Sequence, residues 1–538
     1  MKKLIQQYAA LLLTIVLIIG VCGLYSYRKS GMFVDEIYTY GLSNGYYTPF
    51  VKSITDGDMT DHTISRQELL DYLTVGDNDR FAFGSVYYNQ TQDVHPPLYY
   101  WLFHLASSLV PGTFSKWTGL CLDFILYSIT LLLLYRLLRL LFAHREIAVC
   151  GLALYGLSTV GLSTMLMIRM YVLLTLFSVL LAYLILHQIR SPRAFLYPLI
   201  GLTIFAGLLT QYYFVFYAFF LCLTVLIYLA ARKEWKAAGI FSGCAIGGVI
   251  LLPIAFPAFL KQLTANALVS GGSALKNLTT TAKYADRLHY YFDKVSGGLL
   301  LELRAALLPA GIALILCIIF LPRALKVLRS GSDSNEALLF VLPAAAAFCL
   351  VAVIAPVTDH RYVFNVMPFF VVFVCWLLWL AESALPDFNR KQLLRQAAVF
   401  AVALWALWNV RTFPPQYLYD STSQFNHNEY NAAISDYTDC PCVYLTDNAN
   451  GVVTQDLLQL MQFPDVFFTN DPSSEALKDY LANHSANHSL VVYVDISKEW
   501  GSGYDSVEMI QELLDHTEYN SAEPLYQYEL SDTYVLQR

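Results

Sequence analysis

Residues 5–36 read "IQQYAALLLTIVLIIGVCGLYSYRKSGMFVDE", an apolar run that ends shortly before two adjacent carboxylates. A membrane-spanning helix needs about 20 mostly apolar residues, and residues 5–26 meet that length. The run is longer than the apolar part of a secretory signal, and no A-x-A cleavage pattern follows it. We therefore expect a retained membrane helix, with Asp35 and Glu36 just outside the membrane.

The composition extends this expectation to most of the chain. Of the 538 residues, 57% are hydrophobic and only 14% are charged, whereas a soluble domain carries about 25% charged residues. Further apolar runs lie at 117–141, 147–166, 170–189, 195–213, 214–231, 237–258, 303–321, 337–355, 362–380 and 396–410. We predict a polytopic α-helical membrane protein with about eleven transmembrane helices. The shorter stretch 97–110 predicts an interfacial or re-entrant helix.

Lysine and arginine indicate the orientation, because short cytoplasmic loops are enriched in them. With the N-terminus in the cytoplasm, 16 of these residues fall inside, and only Arg169, Arg361 and Arg411 lie at short outside ends. This charge rule does not apply to the long outer loops, 27–116 and 259–302. We expect a multi-pass protein of the cell membrane whose C-terminal tail is extracytoplasmic.

The tail, residues 412–538, differs in kind from the rest of the chain. It carries 3 basic and 20 acidic residues, and it contains the strand-like runs "CVYLTD", "DVFFTN" and "SLVVYVDI", separated by helical patterns. Alternating strands and helices predict a small α/β domain. We therefore divide the chain into a membrane domain, 1–411, and an acidic soluble domain, 412–538. Cys440 and Cys442 of "DCPC" are interpreted as structural.

Ionisable residues gather at the outer helix ends and leave the middles of the spans almost free of charge. A charge within a membrane is costly and indicates function, and transporters usually bind substrate near the midplane. The outer distribution therefore favours an enzyme that works at the membrane surface over a transporter. The residues concerned are Asp123, Arg169, Glu302, Arg304, Asp359, His360 and Arg361.

Four further motifs follow "VDEIYTY" in a fixed order: "DVHPPL" (93–98), "IRMYVLLTLFSVLLAYLIL" (168–186), "GLLTQYYFVFYAFF" (207–220) and "DHRYVFNVMPF" (359–369). Singly, each motif is a weak signal. The acids of "VDEIYTY" suit a solvated loop, and the prolines of "DVHPPL" suit a helix start, although that leaves Asp93 and His95 unexplained. Together, over residues 10–380, they resemble the GT-C glycosyltransferases, in particular the protein O-mannosyltransferases and lipid A aminoarabinose transferases. The chain departs from the usual family motifs at Leu166, Met167 and Gln211.

The resemblance implies a GT-C-like fold and an inverting transfer of a hexosyl or pentosyl group from a polyprenyl-phosphate donor. It implies Asp35 as the general base and Glu36 as a helper, positioning group or metal ligand. Arg169 and Arg361 would bind the donor phosphate, because the planar guanidinium matches phosphate oxygens. For these two arginines, snorkelling interfacial anchors are an equal alternative. Asp93, His95, Gln211 and Tyr212 would position the acceptor or the sugar; for His95, a loop-stabilising residue is an equal alternative.

The sequence leaves several points open. The acceptor is a glycan, a lipid or a protein; membrane lipids are partners, and no nucleic acid is expected. No cofactor is certain, and the need for a divalent metal stays open, as do the sugar and the oligomeric state. The alternative functions are a transporter or lipid-glycan flippase, and a surface-binding protein that acts through its acidic tail.

Overall fold

The computed structural model describes residues 2–264, 276–280, 283–287, 289–290, 304–355, 357, 359–386, 391–447 and 450–538. The chain forms two compact units, and each is discontinuous in sequence. The first contains Met1–Ser26, Val94–Tyr99 and Leu120–Gln416. The second contains Tyr27–Asp93, Tyr100–Gly119 and Tyr417–Arg538. Glu302 and most of the loop 259–302 lie outside the described residues.

The first unit is helical, and its helices fall where the apolar runs predict them. Among the described residues, seven helices are long and apolar enough to cross a membrane, or nine if each of two bent helix pairs is one span. The predicted positions 195–213 and 396–410 hold the 13-residue helix Leu196–Leu208 and the helix Lys391–Thr412. The predicted polytopic helical fold is therefore confirmed, while the number of eleven spans is not.

The helices that lie wholly or mostly in this unit are Lys2–Arg28, Lys116–Leu141, Arg145–Gly156, Thr159–Leu166, Tyr171–Arg190, Leu196–Leu208, Phe214–Ala231, Trp235–Ala255, Ala258–Thr264, Arg304–Ile319, Leu321–Arg329, Leu338–Ile354, Met367–Ala384 and Lys391–Thr412. The short 3-10 helices Asp333–Ala337 and His360–Val366 precede two of them. Their exposed faces are rich in leucine and isoleucine, which is the surface that a helix needs in a lipid environment.

The predicted span 147–166 is a bent pair, in which Arg145–Gly156 and Thr159–Leu166 meet at 56°. Ser158 explains the break, because its hydroxyl accepts a hydrogen bond from the Gly161 amide at 3.0 Å and starts a new helix. A side-chain oxygen at this position satisfies an amide that the first turn leaves without a carbonyl partner. Arg169 follows the second helix, just before Tyr171–Arg190 begins.

The second unit is built on a six-stranded mixed sheet. Its strands are β1 (His62–Ser65), β2 (Cys442–Leu445), β3 (Asp465–Thr469), β4 (Ser489–Asp495), β5 (Ser521–Tyr528) and β6 (Ser531–Gln537), in the order β1-β3-β2-β4-β6-β5. Central β2 is parallel to both β3 and β4. The three strand-like runs of the tail are therefore confirmed as strands, and so is its α/β character.

Helices cover both faces of this sheet. Glu475–Asn483 and Ser506–His516 bury leucine and isoleucine side chains against one face. Asn450–Leu460 packs on the other face, where the carboxylate of Asp456 accepts a hydrogen bond from the Tyr444 hydroxyl at 2.7 Å. The remaining helices of the unit are Val34–Asn44, Arg66–Leu73, Phe83–Gln92, Leu98–Ser107 and His427–Ile434, with 3-10 turns at Val51–Thr55, Asp77–Asp79 and Ser435–Tyr437. The 10-residue helix Leu98–Ser107 is too short to span a membrane.

Strand β1 comes from the first outer loop, far from the other five strands in sequence. It pairs antiparallel with β3, with Ile64 opposite Val466. The Tyr38 hydroxyl adds a second link, since it accepts a hydrogen bond from the Asn450 side chain at 2.8 Å. The outer loop and the tail thus fold together as one unit, whereas the sequence predicts a separate domain at 412–538. That exact boundary stays a prediction.

Ile64→Ala should destabilise this unit by about 2–5 kcal/mol, the usual cost of truncating a buried isoleucine. The Ile64 side chain is fully buried, while its neighbour Thr63 is exposed. Limited proteolysis of the purified protein should therefore speed up in both the loop and the tail, and Thr63→Ala should match the wild type. Faster cleavage in the loop alone would contradict a shared sheet.

Candidate functional site

The helix Val34–Asn44 carries the two adjacent acids in its first turn. Glu36 is the third helical residue, and its carboxylate accepts a hydrogen bond from the Phe33 backbone amide at 2.7 Å. The first amides of a helix have no carbonyl partner within the helix, so this contact closes the helix start. Negative charge is also favourable at this end of a helix dipole. The sequence therefore places Asp35 on a fixed first turn.

Glu36 also forms a buried ion pair. Its carboxylate lies 2.9 Å from the Lys29 ammonium, and both side chains have no exposed surface. Lys29 also donates to the backbone carbonyl of Tyr417. Lys116 donates to the backbone carbonyls of Lys29 and Tyr27. Among the roles that the resemblance implies for Glu36, this geometry favours that of a positioning group.

Residues 417–420 hold the segment that leads to the acids. The Ser30 amide donates to the Leu418 carbonyl at 2.8 Å, and the Ser30 hydroxyl donates to the Tyr419 carbonyl. Arg28 forms an ion pair with Asp420 at 2.7 Å. The start of the tail therefore fixes residues 28–30 through both backbone and side-chain contacts. We call residues 417–420 the tail clamp.

Asp93 and Tyr38 belong to the same unit as Asp35. Burial, and then the negative charges of Asp93 and Asp35, raise the pKa of Tyr38 to about 12, against the hydrogen bonds that Tyr38 makes to Thr454 and Asn450. Both carboxylates therefore lie within electrostatic range of one phenol. Tyr38 was missed by the sequence analysis, although its place three residues after Asp35 puts it on the same side of the helix.

The other predicted site residues lie in the first unit. The Arg169 guanidinium is 3.5 Å from the His95 imidazole, so the structure brings these two together. Nearby in sequence, the Leu98 amide donates to the Leu209 carbonyl at 3.1 Å. The Tyr99 hydroxyl donates to buried Asp123 at 2.8 Å. These bonds hold residues 95–99 to the helices of the first unit.

Gln211 and Tyr212 make contacts within their own part of the fold. The Gln211 side-chain oxygen accepts from the Tyr213 amide at 2.9 Å, and the Tyr212 hydroxyl donates to Gln262. Arg361 lies 3.4 Å from Asp359 and is almost buried. Arg361, Gln211 and Tyr212 are thus each held by a partner in their own part of the fold.

Three tyrosine rings bring the arginine-bearing segments of this unit together. Tyr362 contacts Tyr171, at 6.4 Å between ring centroids, and Tyr213, at 5.4 Å. Tyr171 follows Arg169 by two residues, Tyr213 follows Gln211 by two, and Tyr362 adjoins Arg361. Such edge-on contacts are the favoured geometry of aromatic pairs. The three motifs that are far apart in sequence therefore meet in the fold.

The predicted site residues accordingly fall into two groups. Asp35, Glu36 and Asp93 lie in the second unit. The members in the first unit are His95, Arg169, Gln211, Tyr212 and Arg361. Within the described part of the chain, no group of three or more His, Cys, Asp or Glu side chains is arranged to hold a metal ion.

The fold and these side chains define a class: a polytopic membrane protein with a GT-C-like fold and an α/β domain. Residues 94–258 match the family model described as dolichyl-phosphate-mannose-protein mannosyltransferase. The chain is similar to the crystal structure of ArnT from Cupriavidus metallidurans bound to undecaprenyl phosphate, with a TM-score of 0.53 and 10% identity over 98% of both chains. The predicted resemblance to the GT-C superfamily is thereby confirmed.

The apo state of the same ArnT matches with a TM-score of 0.48 and 10% identity over 97% of both chains. No curated protein sequence matches the chain significantly. At 10% identity, the likeness to ArnT describes the fold.

Glu36→Gln should destabilise the second unit strongly, because it leaves the Lys29 ammonium buried without its counter-charge. Breaking a buried ion pair in this way costs about 3–5 kcal/mol. Glu68 is the matched control: it is the third residue of the helix Arg66–Leu73 and accepts from the Ser65 amide at 2.8 Å, but it is exposed.

Glu68→Gln should therefore change the free energy of unfolding by about 0.5 kcal/mol or less. The measurement is the thermal midpoint of both purified variants beside the wild type. Equal midpoints for the two variants would show that the Lys29–Glu36 pair contributes no more than an exposed helix cap.

Proposed function

We propose that this protein is a membrane glycosyltransferase that moves a sugar from a polyprenyl-phosphate donor to a hydroxyl acceptor on the extracytoplasmic side. The observation that carries the proposal is Asp35, held half-buried on the first turn of its helix in a chain with the fold of ArnT. That ArnT structure contains undecaprenyl phosphate, which supports a donor of the same lipid class here. The transferred group is a hexose or a pentose.

In the proposed reaction, Asp35 acts as the general base. Its carboxylate takes the proton of the acceptor hydroxyl while that oxygen attacks the anomeric carbon of the sugar. The bond between this carbon and the phosphate oxygen breaks, and the polyprenyl phosphate leaves with the electron pair. One displacement from the opposite face inverts the anomeric configuration. A positioned base contributes about 10²–10⁴-fold to such a rate.

Arg169 and Arg361 are proposed to stabilise the leaving phosphate. Negative charge grows on the phosphate oxygens as the bond to sugar breaks, and a preorganised guanidinium offsets that charge. Both side chains are almost fully buried, which strengthens their electrostatic effect relative to that of exposed arginines.

The remaining predicted residues are proposed to orient the substrates. His95 lies beside Arg169 and would align the sugar or the acceptor. Asp93, Gln211 and Tyr212 would supply further hydrogen bonds. The acidic tail is proposed to face the extracytoplasmic side, where its charge would attract basic acceptors and repel acidic ones.

Transfer by purified protein tests the proposal, with a labelled polyprenyl-phosphate sugar and an acceptor-containing membrane extract. Asp35→Asn should lower kcat by about 10²–10⁴-fold, because asparagine keeps the size but cannot take the proton. Asp58→Asn is the control, since Asp58 is a fully exposed acid of the same loop. Donor binding should persist in both variants.

Arg361→Ala should behave differently and should raise the donor KM as well as lower kcat. An interaction made in both the ground state and the transition state affects both terms. Arg323→Ala, at an exposed arginine of the same unit, should match the wild type.

Wild-type turnover by folded Asp35→Asn would remove Asp35 as the base. Transport of intact donor lipid without sugar transfer would favour a flippase.

A further inference from the structure

Lys29 has no place in the chemistry proposed above, yet it is a fully buried charge seven residues before Glu36. A buried ion pair often adds little to the stability of a fold, because apolar residues of the same size stabilise it as well or better. The pair therefore needs another explanation. A buried polar interaction is best documented as a device that fixes one geometry among several.

We propose that Lys29 is a positioning residue for sugar transfer and that it acts on Asp35 through Glu36. The inference rests on the proposed function, since it assigns Asp35 the role of base. Lys29 binds the Glu36 carboxylate at 2.9 Å. The same carboxylate oxygen accepts from the Phe33 amide at 2.7 Å. One oxygen thus joins a fixed ammonium to the first turn of the helix.

Because of helix geometry, the contact between Lys29 and Glu36 also sets the orientation of Asp35. Successive residues of an α-helix are separated by about 100° around the axis. With Glu36 turned inward onto Lys29, the rotation of the first turn is set, and Asp35 has to point to a neighbouring side. Asp35 is half-buried while Glu36 is buried, as this rotation requires.

The tail clamp also contacts Lys29 and the neighbouring Ser30. The Tyr417 carbonyl accepts from the Lys29 ammonium, and the next two carbonyls, of Leu418 and Tyr419, accept from Ser30. Tyr417 and Tyr419 adopt φ values of 64° and 54°. This is a left-handed backbone conformation that residues other than glycine rarely adopt. Such strain persists only where the surroundings over-determine it, and it clusters at functional sites.

The chain of contacts therefore runs from the tail clamp to Lys29, from Lys29 to Glu36, and from Glu36 to the turn that carries Asp35. In this view the tail takes part in the reaction without touching substrate. It supplies a backbone carbonyl, that of Tyr417, which accepts a hydrogen bond from the Lys29 ammonium.

The double variant Lys29→Met/Glu36→Gln tests the inference, because it removes both charges and leaves neither buried alone. Its thermal midpoint should stay close to that of the wild type. Its kcat should fall by about 10²-fold, the effect of a misplaced catalytic group, while the donor KM stays within about twofold, because the donor-binding arginines are untouched. Hydrogen exchange in peptides that cover residues 31–44 should become faster.

Lys478→Met/Glu475→Gln is the matched control. It removes an ion pair of the same chemistry in the same unit, at 2.7 Å but exposed, and it should leave kcat and exchange at residues 31–44 unchanged. A folded Lys29→Met/Glu36→Gln protein with wild-type kcat would overturn the inference and leave the proposed function intact. Absence of transfer by the wild type would overturn the proposed function, while the exchange measurement would still decide whether Lys29 orders the helix start.

A second pair of variants decides the matter if the double variant does not fold. Phe33→Pro removes the backbone N–H that donates to Glu36 and keeps the Lys29–Glu36 ion pair. Proline fits at this position because the φ of Phe33 is −72°. Phe33→Ala keeps the amide and removes the same aromatic ring. Phe33→Pro should have a clearly lower kcat than Phe33→Ala. Equal kcat values for these two variants would overturn the inference.

Discussion

The buried contact between Lys29 and Glu36, 2.9 Å long, is the constraint around which the second unit is arranged. Each group would be costly to bury alone, because a charge loses its hydration inside a protein. The fold therefore has to keep both partners and the Tyr417 carbonyl together. Meeting that requirement joins the entry to the first outer loop, the start of its first helix and the beginning of the tail.

The six-stranded sheet also joins the outer loop to the tail, through residues that are farther apart in the sequence. Strand β1 of the outer loop completes one edge of a sheet whose other strands lie in the tail, and the Tyr38–Asn450 hydrogen bond links the Asp35 helix to the helix after β2. Loop and tail therefore gain stability together. The charge asymmetry of the sequence separates the tail from the membrane helices, but cooperative packing makes the tail part of the unit that carries Asp35.

Local patterns predicted most of this architecture, and long-range contacts account for what they missed. The spans follow from apolar length, and the three parallel strands follow from short β-branched runs between helical patterns. Strand β1 is only four residues long, and its partner is about 400 residues away, so no local signal marks it. The ordered motifs pointed to Asp35 and Arg169, whereas Lys29 depends on Glu36 and Tyr417, partners that only the fold reveals.

We propose that Asp35 meets the acceptor hydroxyl from a turn held by Lys29 and Glu36. A structure of the purified protein with a non-transferable polyprenyl-phosphate sugar analogue and an acceptor tests it most directly. We expect an Asp35 carboxylate oxygen at about 2.6–3.2 Å from the acceptor hydroxyl, with the Lys29–Glu36 pair intact. A bound donor and acceptor with Asp35 beyond hydrogen-bond reach, or with the pair broken, would contradict it.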